Sequence, residues 1–129
     1  MKRKKIDQEY MDQGASSIHE DDIHKAAENA KKIDEKAKKS KSLRQFISEL
    51  KLMGSLVKDY LNGSYKSIPY KAIAVIVFTL LYVLNIADII PDVIPGMGLL
   101  DDASVIAFCL KIVSSELEKY KSWKTETED

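Results

Sequence analysis

Cysteine is nearly absent from this chain: Cys109 is the only one in 129 residues. That excludes an intramolecular disulfide, and it argues against a thiolate zinc cluster or a secreted, cross-linked scaffold. Set inside an apolar run, the Cys109 thiol reads as a small buried hydrophobe rather than a nucleophile. Histidine is equally scarce, with two in all. His19 and His24 are five residues apart, which turns their imidazoles about 140° from one another on a helix, whereas a zinc pair needs one face. The chain has no glycine-rich phosphate loop and no Ser-His-Asp or Cys-His pattern, so no catalytic constellation is read and no enzymatic activity is expected. Net charge is absent too, with 20 Lys and Arg against 20 Asp and Glu. A whole-chain electrostatic case for nucleic acid therefore fails, and no nucleic-acid partner is expected. Met1-Lys2-Arg3-Lys4-Lys5 has the charge of an export signal's front, but Asp7, Gln8 and Glu9 follow in place of an apolar segment, so no cleaved signal is expected.

What is present is unevenly placed. Residues 1–42 hold 11 Lys or Arg and 9 Asp or Glu with very few large apolar side chains, while residues 68–113 are nearly all apolar. Three parts are expected: a charged, partly disordered helical extension over 1–42, a helical domain over 43–120 with its hairpin core at 65–115, and a disordered charged tail over 121–129.

In the extension, Ser17 followed by Glu20 predicts a capping box and a helix from Ile18. Its apolar stripe, Ile23, Ala26, Ala27, Ala30, Ile33 and Ala37, is mostly alanine, so a solvated or loosely docked helix is expected. The lysines at 31, 32, 36, 38, 39 and 41, interleaved with Asp34 and Glu35, read as a solvated face that can meet anionic lipid. Ser42 with Gln45 predicts a second, amphipathic helix over 43–61, offering a wide apolar face to this chain, a protein partner or a second copy. Asn62-Gly63 supplies the left-handed stop that ends it.

Pro69 fits the first turn of a third helix that is apolar on every side from Ala72 to Leu84. From Ile68 to Ile90 such a helix measures about 34 Å, against roughly 30 Å of hydrocarbon. The favoured reading inserts it in a bilayer, because the remaining apolar surface is small; the alternative makes it the centre of a soluble bundle or oligomer. A last helix is expected from Asp101 or Asp102, apolar to Val113 and, at about 16 Å of apolar length, too short to span alone. The fold class expected is all-α: an apolar helical hairpin bent at an acidic Pro/Gly turn, preceded by one amphipathic and one charged helix. If the hairpin enters and leaves from one leaflet, lysines flanking it, such as Lys66, Lys71 and Lys119, put the N-terminal arm and the C-terminal end on the cytoplasmic side; if the third helix spans alone, the two ends lie on opposite sides.

The stretch from Asp88 to Asp102 carries the strongest signal. Pro91 stops the third helix, Pro95-Gly96 prescribes a tight turn, and Gly98 permits positive φ or close backbone contact. Asp101 and Asp102 read as capping groups for the last helix. Asp88 and Asp92 are harder to place, since negative charge is disfavoured at a helix C-terminus. Backbone N–H groups, protonation in apolar surroundings, or a divalent cation held by Asp88, Asp92, Asp101 and Asp102 can each compensate them. These residues resemble the signature of the YkvA-like family, small and mostly bacterial proteins, which is similar to Asp-x-Ile-Pro-Asp-x-Ile-Pro-x-x-Gly-x-x-Asp-Asp. Asp88, Ile90, Pro91, Asp92, Ile94, Pro95, Gly98, Asp101 and Asp102 match it, and the resemblance covers about residues 65–115. It implies a helical, membrane-associated domain and brings no established activity. The expected function is a non-enzymatic membrane-associated module with the acidic turn as its structural latch; the alternative is a soluble helical protein that binds a cation there.

Overall fold

The computed structural model describes the backbone of residues 8–89 and 98–128, with side chains for Glu9, 11–84 and 104–126. Six α-helices and no strand occur among the described residues: α1 (Gln8–Ser16), α2 (Glu20–Glu28), α3 (Ala30–Lys39), α4 (Ile47–Leu61), α5 (Tyr70–Ile89) and α6 (Gly98–Glu128), with one 3-10 turn, Arg44–Phe46, leading into α4. The protein is all-α, as the patterning required.

α5 is the axis. Ile73, Ala74, Val75, Ile76 and Val77 are all buried, and five consecutive buried positions point in every direction around a helix. The cover comes from this chain, since α5 packs against all five other helices. α6 returns antiparallel to it: Cys109, eleven residues into α6, places its Sγ 4.0 Å from the carbonyl of Val75, five residues into α5. Thr79, the one buried polar side chain among the described residues, satisfies its hydroxyl on the Val75 carbonyl one turn back at 2.9 Å.

The N-terminal helices depart from expectation, and the departure explains the fold. They are docked rather than solvated: Ile23, Ala26, Ile33 and Ala37 are buried, and α1, which the patterning did not anticipate, adds Met11 and Ala15. Small side chains bury little area each, but they let helix backbones approach closely. A Cβ on Gly54 of α4 would lie 3.3 Å from that of Ala30, and one on Gly14 of α1 would clash with the Phe78 ring of α5. Close approach then lets α2 and α3, with Ile23 and Ile33 buried, pack against α5, while Tyr70 of α5 donates to the Ile18 carbonyl at 3.1 Å. The volume counted as missing from the sequence is supplied this way.

Local signals were displaced by a few residues. The capping box falls on His19 and Asp22, whose carboxylate accepts the His19 backbone N–H at 2.9 Å, while Ser17 donates back to the Gly14 carbonyl and closes α1. The single helix expected beyond Ile18 is broken at Asn29, whose side chain takes the Lys25 carbonyl at 2.8 Å. Gly63, with φ +86°, provides the predicted left-handed stop after α4, where a side chain would be strained. The tail expected to be disordered is helical through Glu128, anchored by the half-buried Trp123.

Ile33→Ala tests the docking. A fully buried isoleucine costs about 2–5 kcal/mol when truncated, a surface one less than about 0.5 kcal/mol. Urea unfolding is expected to show the larger loss.

Candidate functional site

The hairpin has two ends, and the carboxylates sort between them. At the turn end, α5 runs to Ile89, so the backbone of Asp88 lies in its last turn, and α6 opens at Gly98, which puts Asp101 in its first turn and Asp102 just beyond. The antiparallel packing brings these three backbone positions to the same end of the molecule. Asp101 and Asp102 do not start the helix as the capping reading required; α6 begins three residues earlier, at the glycine. Asp101 still lies where the positive end of the helix dipole favours an acid. Pro91, Asp92 and Pro95 lie outside the described residues, as do the side chains of Asp88, Asp101 and Asp102.

The opposite end holds a polar cluster that the sequence did not disclose. Tyr120 of α6 donates its only hydroxyl proton to Asp59 Oδ2 of α4 at 2.6 Å, so the Ser55 hydroxyl, 2.5 Å away, must donate to the tyrosine oxygen. Lys124 Nζ joins the same carboxylate oxygen at 3.1 Å. Burial alone would push the Asp59 acid up, but the hydrogen bonds from Tyr120, Lys124 and Asn62 outweigh it and hold the carboxyl below its ordinary range. Its hydrogen bond to Asp59 raises Lys124 in turn. The Tyr120 phenol is raised too, by burial and by donating to the aspartate. Around this core, Tyr65 packs its ring edge-on to Tyr120 at 5.1 Å and against Trp123 at 5.0 Å. The arrangement can fix the C-terminal half of α6 to α4. With its acid held ionised and its phenol held protonated, it does not offer a poised base near neutral pH.

Cys109 is buried and its thiol is pushed up to about 12 by desolvation, against a lowering hydrogen bond with Thr79. It is a packing group beside Met53, whose sulfur is 3.8 Å away. Neither His19 nor His24 has a metal-ligating neighbourhood: among the described residues no three His, Cys, Asp or Glu side chains are placed to hold an ion. Among the same residues, no helix is long and apolar enough to cross a membrane.

A bundle wrapped around an apolar hairpin, with acids gathered at the hairpin's turn, defines a class of small helical proteins. Residues 72–108 match the family described as "Protein of unknown function (DUF1232)". The chain is also 31% identical over 88 residues to the "Uncharacterized membrane protein YkvA" of Bacillus subtilis (strain 168), a match covering 68% of this chain and 83% of that relative. The chain belongs to the YkvA-like family. No solved structure matches it.

The polar cluster sets an acid limit on stability. Asp59 is held below its unfolded value near 3.8, so its contribution is complete above that pH and is lost as pH falls through the folded value. The stability gap between the native chain and Asp59→Asn, followed by urea unfolding, should shrink as pH drops below about 4. Tyr120→Phe, which removes one of the donors to Asp59 and leaves the Ser55 hydroxyl without its acceptor on the phenol, should cost about 1–3 kcal/mol at pH 7.

Proposed function

We propose that this protein is a non-enzymatic, membrane-associated helical module that meets the bilayer as an assembled bundle at its cytoplasmic face. The observation that carries the reading is the enclosure of α5: its apolar surface is consumed by the chain's own helices, so association need not use it as a lone span. The relative named a membrane protein supports the location. Exposed Lys31, Lys32, Lys38 and Lys39 on α3 provide attraction to anionic headgroups, worth about 1 kcal/mol per basic residue near the surface.

In this reading the acidic turn is a structural latch. Asp88, Asp92, Asp101 and Asp102 hold the end of α5 to the start of α6, with α6 supplying free N–H groups and the positive end of its dipole. A second reading, cation binding by the same acids, is favoured by the convergence of the Asp88, Asp101 and Asp102 backbones at one end of the hairpin. Asp88→Ala and Asp92→Ala separate the two. A latch predicts a loss of about 1–3 kcal/mol in stability for each variant, in the absence of added metal. A cation site predicts an intact fold that no longer gains stability from added calcium or magnesium.

The membrane reading is tested by fractionating expressing cells. The protein is expected to sediment with membranes at low salt and to be released by carbonate. A reversible lock sharpens the result: cysteines at Ala30 and Gly54, whose Cβ positions lie 3.3 Å apart, approach the roughly 3.5–4.5 Å separation of a disulfide. The oxidised Ala30→Cys, Gly54→Cys protein should sediment as the reduced one does. Release by detergent alone, together with loss of association when locked, would mean that α3 leaves the bundle and the hairpin inserts. A wholly soluble protein would refute membrane association.

A further inference from the structure

α3 and α4 lie side by side with Ala30 against Gly54, where a Cβ on the glycine would be 3.3 Å from that of the alanine. Asp34 stands one turn beyond Ala30 and is half-buried at this seam. Burial raises its carboxyl above the ordinary range, and the lysine fields that oppose the rise come from Lys51 first, then Lys38, then Lys58. Lys51 precedes Gly54 on α4, so moving forward along α3 means moving back along α4. The helices are therefore antiparallel, and lysines of both surround the same acid. Helical register places the rest. Lys31 and Lys38 are seven residues apart on α3, as are Lys51 and Lys58 on α4, and that step is two turns less about 20°. Each pair thus makes a stripe about 10 Å long on one side of its helix, and all four side chains are exposed.

We propose that the α3–α4 seam, framed by Lys31, Lys38, Lys51 and Lys58, is the surface by which the bundle docks on an anionic phospholipid bilayer. The inference rests on the membrane reading and deepens it: it names the docking face, adds α4 to it, and makes binding depend on the packed seam. Charge decides the occupant. The chain has no net charge, so it has no overall attraction to an anionic surface and must present one face. Exposed Lys32 and Lys39 extend the frame along α3, giving six lysines against Asp34 and Glu35. Acids on the far side of the bundle lie beyond the screening length of about 8–10 Å and oppose the contact little. A bilayer offers its phosphates spread over a plane, which two rows of lysines meet at several points together. A single small anion between the rows would instead meet Asp34.

Cosedimentation of the full chain with vesicles at low salt tests this, using phosphatidylglycerol and phosphatidylcholine in equal parts against phosphatidylcholine alone. The mixed vesicles should bind the native chain and the neutral ones should leave it in solution. Lys51→Gln with Lys58→Gln should weaken binding about 25-fold, about fivefold for each lysine, and Lys31→Gln with Lys38→Gln should do the same. The control pair, Lys111→Gln with Lys121→Gln, is equally exposed on α6, which packs against α1, α4 and α5. It removes the same charge and should weaken binding less than about twofold. Asp34→Asn should tighten binding, by up to about fivefold. The lysine variants, all at exposed positions, should unfold in urea as the native chain does. Equal losses from the α4 and α6 pairs, equal binding to both vesicle types, or tighter binding to double-stranded DNA at equal phosphate concentration overturns this face. Sedimentation from cells is read separately: a protein that sediments with membranes but loses as much vesicle binding from the α6 pair keeps its membrane association and loses the seam as the cause.

Discussion

Everything in this molecule follows from one helix that has no polar face. A cylinder of valine, isoleucine, leucine and alanine cannot stand in water, and each fully buried side chain of this kind contributes about 1.5–3 kcal/mol once covered. Enclosing α5 on all sides takes more helices than a hairpin and one amphipathic partner provide. The chain meets the demand with three short N-terminal helices whose alanines and glycine bring backbones close. α1 sits on the Phe78 ring through Gly14, and α3 meets α4 where Ala30 faces Gly54. The result is a core reaching from Met11 to Tyr120 that holds, among the described residues, one buried polar side chain, Thr79.

That enclosure leaves the polar chemistry at the ends and flanks. At one end Asp59, Tyr120, Ser55 and Lys124 satisfy one another and fix α6 to α4 where the hairpin opens. At the other, acids collect where α5 ends and α6 begins, and the exposed peptide groups of a helix N-terminus suit them. Between them, one oxygen of the half-buried Glu49 on α4 is shielded from solvent. The two ends lie far apart along the bundle, so fixing α6 to α4 and closing the hairpin draw on different residues.

Much of this was legible in the chain itself. Three-residue and four-residue apolar spacing gave the helix class and the amphipathic α4, because burial of one face imposes that period on any helix. Asn62-Gly63 marked the end of α4, since glycine accommodates positive φ without strain, and Pro69 marked the start of α5, where no N–H is needed. The acids of the turn were legible as a motif, and Asp88 lies in the last turn of α5. The extent of α6 was not: residues beyond Val113 alternate charge with scattered aromatics, and their helix is set by Tyr120 and Trp123 meeting Tyr65 across 55 or more residues of sequence.

The sequence by itself determined that the chain is helical, where its strongest turn lies, and that α5 must be surrounded by apolar matter. Only the tertiary structure decided what that matter is. Local periodicity reports how much of a helix is buried and is silent about the burying surface, because lipid and alanine-lined helices satisfy the same apolar face. Pairings such as Asp59 with Tyr120, or the isolation of one oxygen of Glu49, depend on distances between elements far apart in the chain, and these exist only once the helices have packed.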